Sequence, residues 1–83
     1  LIMNREIILV EVINKADMST EKSRGFTDTE KAEKYFVDLL KEYVTNIDED
    51  DIEYALDNGY HDFSYDEIDE RSITIKEIIL EDD

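Results

Sequence analysis

A chain of 83 residues has room for one hydrophobic core and no second domain, since a chain this short buries only about 60% of its unfolded surface. With 41% apolar residues, five Tyr and three Phe it is too rich in core-forming side chains for a disordered acidic segment, and without cysteine it can build neither a disulfide framework nor a thiolate metal site. Its net charge of −15 repels DNA, RNA and anionic membranes, so the expected kind of partner is a basic protein and not a nucleic acid or a membrane.

Glu6 to Ile13 is apolar on both alternating faces and reads as a strand, central in its sheet. Asn14 to Gly25 is polar and holds Lys15, Lys22 and Arg24, the chain's basic patch, and reads as a mobile loop. Thr27-Asp-Thr-Glu30 fits a capping box with Thr27 as the N-cap. The stripe Ala32, Tyr35, Phe36, Leu39, Leu40, Tyr43 and Val44 then predicts a long amphipathic helix.

Asp48 is placed to cap a second, shorter helix, with Ile47 and Ile52 as a hydrophobic staple and Asn58-Gly59 as the stop. In it Ile52, Ala55 and Leu56 point inward, and Asp50, Glu53, Tyr54 and Asp57 form an outward stripe. Tyr60, Phe63 and Tyr65 read as a short strand or extended arm, followed by an acidic turn over 66–70. Ser72 to Leu80 is a final strand, with Ile73, Ile75 and Ile79 on one face and Ile78 and Leu80 on the other. The expected fold is α+β in β-α-α-β-β order, a two- or three-stranded sheet carrying one long and one short helix, with the first and last strands parallel or the last two forming a hairpin.

Met3 is the expected start, with Leu1 and Ile2 outside the fold, residues 3–80 the domain and 81–83 an acidic tail. No run approaches the roughly 18 apolar residues of a membrane span, and no basic segment leads into a hydrophobic stretch with a cleavage site, which predicts a cytoplasmic protein.

The chain offers little for catalysis. His61 is its one histidine, there is no Gly-x-Ser-x-Gly elbow, and Gly25 and Gly59 do not form a phosphate-cradling loop. Asn46, Asp48 and Asp50 have the spacing of the first ligands of a calcium loop, but Asp51 stands where the turn requires Gly and Asp57 where it requires a bidentate Glu. No enzymatic activity, cofactor or metal site is expected, and His61 beside Asp62 reads as a solvated pair.

The charge is unevenly spread. Residues 1–44 hold seven basic against nine acidic residues, residues 45–83 two against fifteen, and from Asp48 to Glu70 there are eleven carboxylates and no Lys or Arg. A solvated, solubilising face is one reading. Like charges three and four apart destabilise the helix that carries them, however, and mixed signs would solubilise as well, which favours a use for the array. In its Asp/Glu-rich helix and turns, its interspersed Tyr and its Ser-Ile-Thr-Ile-Lys strand, the stretch of about residues 45–80 resembles the small DNA-mimicking inhibitors of phages and mobile elements, of anti-CRISPR or anti-restriction type. The resemblance implies contact with the basic groove of a nuclease or regulator through Asp50, Asp51, Glu53, Asp57, Asp66, Glu67, Asp69 and Glu70. Tyr54, Tyr60 and Tyr65 would add aromatic contact area. The alternative expectation is an interaction module, monomeric or homodimeric, that pairs through a sheet edge.

Overall fold

The structure, a computed structural model, describes residues 3–64 and 70–82, and of residues 3–5 and 80–82 the backbone alone. The elements run β1 (Met3–Asn14), β2 (Ser19–Phe26), α1 (Thr29–Tyr43), α2 (Glu49–Asn58), β3 (Tyr60–Ser64) and β4 (Glu70–Asp82). They build a four-stranded sheet of order β2-β1-β4-β3, antiparallel throughout. The expected two or three strands in β-α-α-β-β order are therefore corrected to four in ββααββ order. A parallel pairing of the first and last strands is corrected too. β1 and β4 form one antiparallel ladder from Met3↔Asp82 to Asn14↔Arg71, so residues 81 and 82 belong to a strand and not to a tail.

The missing strand was β2, which lies inside the segment that reads as a loop. Asn14 Oδ1 accepts from the Ala16 amide at 2.9 Å, Asp17 Oδ1 accepts from the Ser19 amide at 2.9 Å, and Met18 takes φ 60°, so the chain reverses over Lys15–Met18. The Ser19 hydroxyl and amide together hold the Asp17 carboxyl below its ordinary pKa. β2 lacks an apolar face to bury and covers the core with cationic side chains instead. Lys22 lies 5.1 Å from the Tyr43 ring centre, and Arg24 lies 5.0 Å from that of Phe26 and 5.3 Å from that of Tyr35. A hydrophobic period of two cannot detect such a strand.

α1 begins one residue later than the capping box suggested. Its N-cap is Asp28, whose Oδ1 accepts from the Glu30 amide at 2.9 Å, and not Thr27. The stripe beyond it forms as expected: Ala32, Phe36, Leu39 and Leu40 are buried, and Tyr35 and Tyr43 pack at the margin. Asp48 caps α2 by accepting from the Asp51 amide at 2.8 Å, and Ala55 is buried with Ile52 and Leu56 beside it. α2 runs back along α1, with Leu56–Gly59 beside Thr29 and Glu33 and with Asp50–Glu53 beside Val37 and Lys41.

Gly59 ends α2 at φ 83°, and a Cβ there would stand 3.1 Å from the Ile75 carbonyl oxygen. The Gly59 carbonyl in turn accepts from the Ile75 amide at 2.9 Å, which locks the helix end to β4. Gly59→Ala is expected to cost roughly 1–2 kcal/mol through the left-handed backbone alone. An unchanged urea midpoint for this variant would contradict that reading of the junction.

The sheet has two unlike faces. Ile8, Val10, Val12 and Ile73 are buried beneath the helices, with Ile75 and Phe63 at their margin. Ile7, Leu9, Ile13 and Ile78 alternate with these and point the other way. Ile79 shares the helix-side parity but pairs with Glu6 near the end of the long ladder and is 60% exposed. The fold measures 50 × 29 × 17 Å, and its shortest dimension accommodates one sheet and one helical layer.

Candidate protein-interaction site

The acidic character of α2 begins with local physics. A helix N-terminus favours negative charge, and Asp48 caps the helix while Glu49, Asp50 and Asp51 fill its first turn. Inward positions are taken by Ile52, Ala55 and Leu56, so the remaining acids face solvent. Asp50, Asp51, Glu53 and Asp57 are exposed, and Tyr54 among them is 72% exposed. With Asp48 and Glu49 this makes six carboxylates along a helix of about 15 Å, one per roughly 2.5 Å of axis. One strand of duplex DNA presents a phosphate charge about every 3.4 Å.

Lys41 of α1 lines the cleft between the helices with Glu49, Asp50 and Glu53, but it forms no ion pair with them. Among the described residues the ion pairs are Lys15–Asp62 at 3.2 Å, Lys34–Asp38 at 3.2 Å, Lys76–Glu11 at 3.3 Å and Arg71–Glu21, and none reaches α2. α2 packs against β3, at one edge of the sheet, whereas Lys22 and Arg24 sit on β2 at the other. Three strand spacings, about 14 Å, separate the two edges. The fold thus places the acidic helix and the basic strand at opposite margins.

The remaining predicted contact residues are dispersed. Tyr60 opens β3 and is 52% exposed, but it pairs with Thr74 and points to the sheet face away from the helices. Glu70 opens β4 opposite Ser64, four residues along β3 from Tyr60 and so about 14 Å from it. Its carbonyl accepts from the Lys15 amide at 3.0 Å. Tyr65, Asp66, Glu67 and Asp69 lie outside the described residues, and Glu70 of the expected acidic turn belongs to a strand instead. The structure therefore unites Asp50, Asp51, Glu53, Tyr54 and Asp57 on one helix and sets Tyr60 and Glu70 apart on the sheet. Glu49 belongs with the first group, although sequence reasoning left it out. Its place in the first turn, next to the cap, was the available signal.

Near Glu70, Asp62 behaves differently. Partial burial by itself would raise its carboxyl, but hydrogen bonds from the Ser72 hydroxyl and the Lys15 ammonium, with the charges of Lys15 and His61, hold it below its ordinary pKa. It is committed within the fold, whereas the acids of α2 have no cationic partner among the described residues. No group of three His, Asp or Glu side chains among the described residues is arranged to hold a metal ion.

Mutual repulsion along α2 should make stability depend on ionic strength. Raising NaCl from 50 to 500 mM is expected to stabilise the fold by about 1 kcal/mol, a rise of roughly 4–8 °C in Tm. A Tm that is flat or falls with salt would mean that the array carries no such strain.

The chain matches no family model, no curated protein and no solved structure.

Proposed function

We propose that the chain is a non-catalytic inhibitor that occupies the basic, nucleic-acid-binding groove of a partner by presenting the carboxylates of α2 in place of phosphates. The observation that carries this reading is the linear charge density of α2, comparable to that of one nucleic-acid strand, with no ion pair to it among the described residues. Tyr54, exposed within the array, supplies the kind of aromatic anchor common at interface hot spots. The partner class is a nuclease or regulator that binds nucleic acid, and the chain itself binds neither nucleic acid nor membrane.

Pairing through a sheet edge is the less supported reading. β2 carries a bulge opposite Val12/Ile13 and charged side chains along its length, and β3 is five residues long. Both are devices that blunt an edge against further pairing.

Affinity for such a partner should fall steeply with salt, as expected where ion pairs displace bound counterions. The test is titration of that partner at 50, 100 and 200 mM NaCl. A loss of tenfold or more across the series is expected, and a salt-independent affinity would contradict mimicry.

A further inference from the structure

The sheet face turned away from the helices is apolar in its central strand, and no described element covers it. Antiparallel sheets with one wet face ordinarily alternate apolar-in and polar-out. β1 departs from this, since Ile7, Leu9 and Ile13 line the open face, joined by Ile78 of β4 opposite Ile7. Flanking them on β2 are Ser23 and Gly25, and the Ile7 side chain leans over Gly25, where an added Cβ would meet Ile7 Cγ2 at 3.2 Å. The result is an open face with an apolar ridge along β1, on which Lys76 and the exposed Tyr60 also stand.

We propose that this face seats the same face of a second copy of the chain, as a two-fold sheet-on-sheet dimer. Charge selects the occupant. In a chain of net charge −15, this face bears Glu11, ion-paired to Lys76, and Asp62, ion-paired to Lys15, with Glu70 at its rim. A basic partner is drawn to α2, on the far side of the sheet, and an acidic one is repelled by the whole molecule. A second copy presents the same apolar ridge and the same internally paired charges, and keeps the two acidic helices on the outside.

Area is sufficient. From strand rise and spacing, the four-stranded part and the two-stranded end of the β1/β4 ladder offer about 600 Å² per copy, about 1,200 Å² in total, which is the lower bound of stable interfaces. Two such faces pack with strands about 30° apart. The blunted edges of β2 and β3 leave the face as the surface open to self-association. This inference does not rest on the mimic reading, since the two use opposite sides of the molecule.

Its signature is a salt dependence opposite to that of partner binding, because two acidic copies repel and salt screens the repulsion. Sedimentation equilibrium of the full chain at 50 and 500 mM NaCl is expected to show a reversible dimer whose Kd tightens severalfold at high salt. Leu9→Gln, which keeps the charge, should weaken it at least tenfold. Ser23→Arg, at an exposed position where folding is not at stake, should do the same although it lowers the net charge. A monomer up to millimolar concentration in 500 mM NaCl would overturn the proposal. So would a dimer that Ser23→Arg leaves intact, whatever becomes of the fold of Leu9→Gln.

Discussion

Replacing Asp50, Glu53 and Asp57 together by lysine is expected to abolish capture of the basic partner while the protein stays folded. These three residues lie along one exposed line of α2 with Tyr54 beside them. Against a groove built for phosphates, each reversal replaces an attraction by a repulsion. A loss of at least about 100-fold, near 3 kcal/mol, is the minimum consistent with an array that carries the interaction. The fold should tolerate the change. Lysine is as good a helix former as glutamate and better than aspartate, and the reversals relieve repulsion along the helix. Only at Asp50, in the first turn, does a cation oppose the helix dipole, at a cost of roughly 0.3–1 kcal/mol. Unchanged far-UV circular dichroism with retained binding would refute the acidic face as the contact surface.

Phe36→Ala is expected to be the most damaging single change to stability. Phe36 is fully buried at the centre of α1 and is among the largest side chains with no exposure, together with Leu40, Ile73, Val10 and Val12. Truncating a buried Phe costs roughly 3–5 kcal/mol through lost burial and the cavity left behind. For a chain of 83 residues, total stability is of the order of 4–12 kcal/mol. The variant should therefore lose at least a quarter of its stability, seen as a large drop in the urea midpoint. Tyr54→Ala, at an exposed position, should stay within about 0.5 kcal/mol of the parent. A Phe36→Ala protein with a near-parental midpoint would mean that the core is not centred on α1.

These two residues illustrate what was legible in the sequence. Both helices were, because a capping side chain followed by a period of 3.6 leaves a pattern that few alternatives share. Asp48, the Ile47/Ile52 staple and Gly59 stand where that pattern puts them. β1 was legible as a central strand because it is apolar on both faces. β2 was not, because Lys22 and Arg24 cover the aromatic margin of the core from an edge strand, and a cation with an apolar stem looks the same in sequence as a solvated one. Without β2 the sheet read one strand short, and the pairing of β1 with β4 stayed open. The start of α1 was off by one residue because Thr27 and Asp28 are both competent caps, and only the backbone decides between neighbours.

The acidic site divides in the same way. Its helical part follows from periodicity, which separates Asp50, Glu53 and Asp57 from the inward Ile52, Ala55 and Leu56. Tyr60 could not be assigned to the opposite side of the sheet without the register of β3 on β4, which is set by Tyr60↔Thr74. Asp62 looked like one more solvated acid. Its partners Lys15 and Ser72 are distant in sequence and close only in the fold.

If α2 stands in for a nucleic-acid backbone, free duplex DNA competes with it for the partner. The protein, immobilised through its N-terminus, is exposed to lysate at 50 mM NaCl and then washed with duplex DNA or with an equal concentration of a neutral polymer. A nucleic-acid-binding protein is expected to be retained, and duplex DNA is expected to release it while the neutral polymer does not. A retained partner that duplex DNA fails to displace would contradict mimicry.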